Sequence, residues 1–303
     1  MITRRQLLRW IASLGVVGAA TAAYAFIVEP MWRARITRYD LTPRRWPSGL
    51  NLKVAALADF HACHPWMSPE RIRSIVETTN SLGADMIVLL GDYVAGHRYV
   101  TEYVPSTEWA KELAALRAPL GVHAILGNHE WWEDRSAQRA GAGPTIGHKA
   151  LEAVGIPVLQ NDAVRLVKDG APFWLVGLGD QLAFLPSRRA NPGRRIGVDD
   201  LAGSLAKVTD NSPVILLAHE PDIAVRVPDR VSLMLSGHTH GGQVRLFGWS
   251  PVVPSRYGNR FAYGHRHEAC DVIVSGGLGC SIAPVRFGVP PEIVLVNLGG
   301  GNV

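Results

Sequence analysis

Cysteine is scarce in this chain and never appears in a metal-binding spacing. Cys63, Cys270 and Cys280 are the three thiols among 303 residues, and the lack of any C-x-x-C excludes a zinc ribbon and a disulfide framework. A bridge between Cys270 and Cys280 stays open. No segment repeats at solenoid or propeller periods, and there is no low-complexity tract. A dominant charge of one sign is also lacking: the formal net charge is +5 and the pI near 9.3, with much of the excess in arginines near the N-terminus and in one loop. That balance suits a membrane surface or an anionic small molecule, and no stable nucleic-acid partner is expected from it. With 47% hydrophobic and 19% charged residues, the chain can bury one large core.

What is present begins at the N-terminus. Thr3-Arg4-Arg5-Gln6-Leu7-Leu8-Arg9 precedes an uncharged run over residues 10–28 dominated by Ala, Gly and Val. Paired arginines, leucines just behind them and a weakly hydrophobic core resemble a twin-arginine export signal. The competing reading is a membrane anchor, since about 18 apolar helical residues span roughly 27 Å. Ala23-Tyr24-Ala25 suits a cleavage site; uncut, the same segment remains as a tether. The expected location is therefore periplasmic or extracytoplasmic after twin-arginine export, or anchored to the cytoplasmic membrane, with the export machinery as a partner. Residues 1–30 are set apart from the fold on this reading.

Residues 31–49 are basic and proline-punctuated without a sustained period, which predicts a linker. The domain is expected over 50–303. Residues 52–58 read as a buried strand, 69–82 as a helix with Ser68 as cap and Pro69 in its first turn, and 86–90 as a second strand. A helix over 107–117, a strand over 122–126, a helix near 148–154 and the Pro157-Val158-Leu159 run continue the alternation. Beyond it come close-spaced strands at 163–167, 173–177, 213–218, 231–236, 243–247, 271–275 and 293–298. An α/β architecture absorbs this pattern as a four-layer α/β/β/α sandwich, two mixed sheets packed face to face and flanked by helices.

The polar residues that need explaining sit where strands end. Asp59 and His61 follow the first strand, Asp92 the second, and Asn128, His129 and Glu130 the third. His219 ends a later strand, and His238 and His240 lie in the glycine-fenced Ser236-Gly-His-Thr-His-Gly-Gly-Gln243. Ligand crevices in open α/β sheets lie outside the carboxyl ends of strands, so these fragments are expected to converge. Asp, His and Asn donors without a thiolate suit borderline divalent ions such as zinc, manganese or iron. Side-chain alternation along an extended segment puts Asp59 and His61 on one face.

Together, D-x-H, G-D, G-N-H-E, a lone strand-end histidine and G-H-T-H resemble the calcineurin-like metallophosphoesterases, in that family's order and over most of the chain from about Lys53. The resemblance implies a dinuclear site: Asp59, His61 and His240 on one metal, Asn128, His219 and His238 on the other, Asp92 bridging both. It implies that His129 is a non-ligand catalytic histidine near the leaving group, and that two divalent ions (Mn, Fe or Zn) are the cofactors. The late Arg286-Phe-Gly-Val-Pro-Pro-Glu292, with GHTHGGQ, is similar to a bacterial branch often exported by the twin-arginine route or membrane-associated. The reaction so implied is hydrolysis of a phosphate ester by a metal-activated hydroxide, with phosphodiesters preferred and the ester lipid- or nucleotide-linked. The alternatives are a phosphomonoesterase or a nucleotide-lipid pyrophosphatase, and, from another class, a non-catalytic metal-binding scaffold. The H-x-H-x-D-H of metallo-β-lactamase-type hydrolases is absent, since glycines follow His240.

His64, His97, His123, His148, His265 and His267 match no motif and read as surface or structural residues; Cys63 reads as packing. Trp66, Trp131, Trp132 and Trp249 fall near these fragments, as an aromatic rim or as ordinary packing. Arg188, Arg189, Arg194 and Arg195 in the 187–195 loop suit an anionic head group or simple solvation.

Overall fold

A computed structural model describes residues 3–186 and 193–300. In its first half the chain forms β1 (Arg35–Leu41), β2 (Leu52–Leu57), β3 (Cys63–His64), β4 (Met86–Leu89), β5 (Glu102–Tyr103) and β6 (Val122–Ala124). The second half adds β7 (Asp162–Lys168), β8 (Ala171–Gly177), β9 (Val214–Leu217), β10 (Leu233–Ser236), β11 (Gly264–His267), β12 (Asp271–Val274) and β13 (Glu292–Leu298). One sheet has the order β1-β13-β2-β4-β6 and the other β11-β12-β10-β9-β8-β7, while β3 and β5 form a small ribbon. Both large sheets are mixed. In the first only the β13–β2 pair is antiparallel, and in the second the β7–β8 and β11–β12 pairs are.

The layers follow from which face each side chain buries. Along β2, Val54 and Ala56 meet Leu175, Ile215 and Leu235 of the opposing sheet. Ala55 and Leu57 point the other way, into a core with Ile72 and Ile75 of helix Pro69–Ser81 and Trp109 and Leu113 of helix Ser106–Leu113. With both faces buried there is no polar alternation, which is why residues 54–58 read as an unbroken apolar run after Lys53. Helix Leu201–Ala206 and the 3-10 turn Pro221–Arg226 pack on the outer face of the second sheet. The result is the four-layer α/β/β/α sandwich expected. Ser68 caps its helix by accepting from Arg71 N at 3.4 Å, with Pro69 in the first turn.

Two expectations are corrected. The stretch expected as a linker carries β1, paired in parallel with β13 from Arg35↔Glu292 to Leu41↔Leu298. As an edge strand it exposes Arg35, Arg38 and Asp40 while Ile36, Tyr39 and Leu41 pack inward, and charged residues on an edge disguise a strand as a linker. Residues 243–247 do not extend either: Gln243 (φ 58°) and Phe247 (φ 49°) are left-handed, so the segment makes isolated bridges from Val244 to Phe287 and from Leu246 to Trp249. All three cysteines are buried and free, which closes the question of a Cys270–Cys280 bridge.

Helix Arg4–Ala23 continues through a π-helical turn, Tyr24–Val28, to Trp32. Within Arg4–Trp32 it is long and apolar enough to cross a membrane. Its base is not separate from the domain. Ala25 O accepts from Arg286 N at 2.9 Å, and Arg71 Nη2 donates to Pro30 O at 2.5 Å.

Trp109 is 1% exposed and stacks on Tyr93 with ring centroids 5.0 Å apart. Trp109→Ala is expected to lower stability by about 3–5 kcal/mol, read as a fall in the urea midpoint at unchanged slope.

Candidate metal centre

The carboxyl ends of parallel strands from both sheets deliver the polar fragments to one place. Asp59 and His61 follow β2, Asp92 follows β4, Asn128 opens the short helix Asn128–Trp132 after β6, His219 follows β9, and His238 and His240 follow β10. All seven are buried. One donor atom each from Asp59, His61 and His240 falls within 4.8 Å of the others, and so do those of Asp92, His219 and His238. A third such group, His61, Asp92 and His129, overlaps both.

Hydrogen bonds aim these donors. His61 Nδ1 donates to Val94 O at 3.0 Å and His219 Nδ1 to Leu90 O at 2.7 Å. A carbonyl only accepts, so each Nδ1 carries hydrogen and each Nε2 is turned to the centre. His61 Nε2 and His240 Nε2 face each other at 3.0 Å. Asp92 Oδ2 lies 3.2 Å from His219 Nε2 and 3.6 Å from His61 Nε2, between the two groups. Its Oδ1 accepts from His129 N at 2.9 Å. Asn128 Oδ1 is 2.8 Å from His238 Nδ1. Asp59 Oδ1 accepts from His238 N at 2.9 Å, whereas its buried Oδ2 has no hydrogen-bond partner. Burying such an oxygen unpaired is costly. That orphan, together with converging imidazole nitrogens and an amide oxygen, fits divalent cations of borderline softness.

The backbone pays for this convergence. Asp59, His61, Asp92, His238 and His240 all have positive φ, between 47° and 69°, a region that strains residues with a Cβ by about 1–3 kcal/mol each. Asp59 and His61 therefore do not lie on an extended segment, as alternation suggested; both are left-handed, and that rotation turns both side chains inward. Neighbouring glycines make room. A Cβ on Gly127 would stand 2.3 Å from Asp92 Oδ1 and 2.6 Å from His219 Cε1, and one on Gly237 would stand 2.8 Å from Asp59 Oδ2.

Glu130, to which the sequence assigned no role, holds the site together. Its carboxylate accepts from the backbone N–H groups of Asp92 (2.9 Å), Tyr93 (2.8 Å), Val94 (3.2 Å) and Gly127 (2.8 Å). Burial and the Asp92 charge push its pKa up, and the N–H donors of Gly127 and Val94 oppose them. A readable signal existed, because a glutamate three residues after the Gly127 N-cap is half of a capping box. Arg286 was also missed. It is fully buried and donates to Gly279 O at 3.0 Å and Val289 O at 2.9 Å, with Nη2 3.3 Å from His240 Nδ1.

His129 lies on the wall of a cavity of about 870 Å³ that also reaches Asp92, Asn128, His238 and His240. Its Nε2 is 3.4 Å from Ser281 Oγ. Burial lowers its pKa, but the charges of Asp92, Glu130 and Glu133 outweigh that and leave it raised. Of the four tryptophans, Trp132 lines the cavity, with the Arg195 guanidinium 4.4 Å from its ring centroid. Trp131 is core, Trp66 bonds Tyr99 O, and Trp249 stands exposed. Arg194 and Arg195 line the cavity, while Arg188 and Arg189 lie outside the described residues. His123 is buried against Leu120 O.

The arrangement is that of a metallohydrolase centre, and the sequence comparisons agree. The profile of the calcineurin-like phosphoesterase family matches residues 52–242. The chain belongs to this family, whose members typically use a dinuclear metal centre. It is 28% identical to the metallophosphoesterase YkuE of Bacillus subtilis over 99% of both chains. A metallophosphoesterase of Aquifex aeolicus is 28% identical over 88% of this chain and 93% of its own. A zebrafish (Danio rerio) transmembrane protein with a metallophosphoesterase domain is 27% identical over 93% of this chain and 61% of its own.

Glu130→Gln turns an amide N–H₂ towards backbone donors. The variant is expected to lose on the order of 3 kcal/mol of stability and to retain less metal, read by urea unfolding and elemental analysis of the same preparation.

Proposed function

We propose that this protein is a phosphodiesterase with a dinuclear centre: Asp59, His61 and His240 on one ion, Asn128, His219 and His238 on the other, and Asp92 shared. The observation that carries the reading is Asp92 Oδ2, which stands between His61 and His219 where the two donor groups meet. Two divalent ions bound there, manganese, iron or zinc, would supply an activated water and neutralise phosphoryl charge. A shared carboxylate also offsets the repulsion between two neighbouring cations.

The chain's own residues supply the rest. Asp92 holds the backbone of His129 through Oδ1, so the carboxylate that both ions would share also sets the register of the candidate acid. Carboxylates around His129 favour its protonated form, in which it can donate a proton to the departing alkoxide. A well-placed general acid contributes about 10²–10⁴-fold in rate. Trp132 and the Arg195 stacked on it border the same cavity and provide a flat cationic wall for the second ester substituent, which is why a diester is preferred over a monoester. The docked helix base, Ala25 to Arg286, favours a tether retained after twin-arginine export, with the active domain outside the cytoplasm.

The test uses the full chain loaded with manganese and compares an aryl phosphodiester with its monoester. Metal-dependent diester cleavage that Asp92→Asn abolishes is the expected result, with about two metals per chain in the unmodified protein. Full metal occupancy without turnover of either ester would overturn the broad phosphodiesterase reading in favour of a narrow substrate or a scaffold, and faster monoester cleavage would overturn the diester preference. His129→Ala is expected to lower kcat by about 10²–10⁴-fold at unchanged metal content.

A further inference from the structure

Two parts of the sequence signature present no donor atom to the centre: Gln243, and the 286–292 segment. They build a ledge on the rim of the cavity. Gln243 Nε2 donates to Ala283 O at 2.9 Å and its Oε1 accepts from Ser281 N at 2.7 Å. Phe287 N donates to Gln243 O at 2.9 Å, and Arg245 N donates to Phe287 O at 2.8 Å. The same ledge receives the N-terminal helix. The Tyr24 ring meets Phe287 edge-on at 5.9 Å, and Arg286 N donates to Ala25 O.

The ledge ends in a tight turn. Leu246 and Trp249 exchange both backbone hydrogen bonds, at 2.8 and 2.9 Å, with Phe247 (φ 49°) and Gly248 (φ 83°) at the tip. A bulky aromatic is strained in this left-handed region, and here it gains no packing in return: Phe247 is 107% exposed and Trp249 58%. Val252 and Ile282, 62% and 72% exposed, carry the apolar surface onward, and both line the cavity. Exposed apolar side chains therefore stand at the tip of the turn and at the mouth of the cavity, and the contacts from Arg245 through Phe287 to Tyr24 tie the turn to the helix base. Exposed apolar side chains gathered in this way mark an interaction site.

The helix identifies what covers it. Over Arg4–Trp32, only 6% of the apolar window is buried against the protein, and a helix that crosses a bilayer brings whatever is docked on its base to the interface. Trp and Phe on such a base suit the headgroup level. We infer that the 246–249 turn and Ile282 enter the bilayer interface beside the N-terminal helix, and that the substrate is a phosphate ester of a membrane lipid. Its phosphate sits at the histidine cluster and its acyl chain runs along Val252 and Ile282. The substrate half of this inference rests on the phosphoesterase reading; the membrane half does not.

The test takes the full-length protein in phosphatidylcholine vesicles containing phosphatidylglycerol or phosphatidic acid, with and without brominated acyl chains. Subtracting the fluorescence of Trp249→Phe from that of the unmodified protein isolates one of nine tryptophans. The Trp249 signal is expected to be quenched by the bromines, and an unquenched signal overturns membrane contact whatever the activity. The double variant F247S/W249S is expected to cleave vesicle phosphatidylglycerol or phosphatidic acid about tenfold more slowly, while turning over a soluble aryl phosphate ester at the unmodified rate. Equal loss on both substrates would show a merely structural turn and overturn the inference. Turnover of the soluble ester with no cleavage of either lipid overturns the lipid substrate alone, and no turnover of any ester at full metal occupancy overturns the phosphoesterase reading beneath it.

Discussion

The carboxylate of Glu130 gathers four backbone N–H groups from two strand ends, those of Asp92, Tyr93 and Val94 after β4 and that of Gly127 after β6. Charged acceptors make the stronger hydrogen bonds, and this one is buried, where they are least diluted by water. Much of the centre is downstream of it. Fixing the Asp92 backbone fixes a carboxylate that reaches His61, His219 and the His129 backbone; fixing Val94 places the carbonyl that sets the His61 tautomer. A residue outside the donor clusters thus determines the position of several within them.

A second constraint follows from packing seven donors into one small buried volume. Regular strand ends splay side chains to alternate faces, so convergence needs the backbone to leave the strand geometry at once. Five donors take left-handed φ, and the strain is held by fully buried, doubly covered strands on either side. Close approach is the companion requirement, met at Gly127 and Gly237, where a Cβ would collide with donor atoms. Strained backbone and rigid sheets are two sides of one arrangement: the first is tolerated only because the second cannot relax.

This explains what the sequence disclosed. Buried strands declare themselves as apolar runs, and residue types suited to metals at strand ends declare a crevice, so the sandwich and the identity of the converging fragments were legible. Backbone handedness at Asp59 and His61 was not, because alternation assumes extension, and the modest preference of Asp and His for left-handed backbone does not by itself override it. β1 was hidden because an exposed edge permits Arg35, Arg38 and Asp40 where a central strand would not. Glu130 and Arg286 escaped because they act on backbone groups. A guanidinium serving main-chain atoms leaves no partner residue type in the sequence to find it by, whereas Glu130 left only the capping-box spacing after Gly127.

Arg286 shows how the membrane-length helix and the centre are coupled. Its guanidinium bonds the carbonyls of Gly279 and Val289 and approaches His240, while its backbone N–H holds Ala25 at the helix base. A buried charge satisfied by several carbonyls is expensive to displace, so the wall behind His240 and the seat of the helix share one firmly held residue. Removing the helix would leave the Arg286 N–H and the Phe287 ring facing water without altering the guanidinium's own partners. The base of the helix is consequently seated on the same residue that backs the histidine, so a change at Arg286 reaches both the centre and the helix.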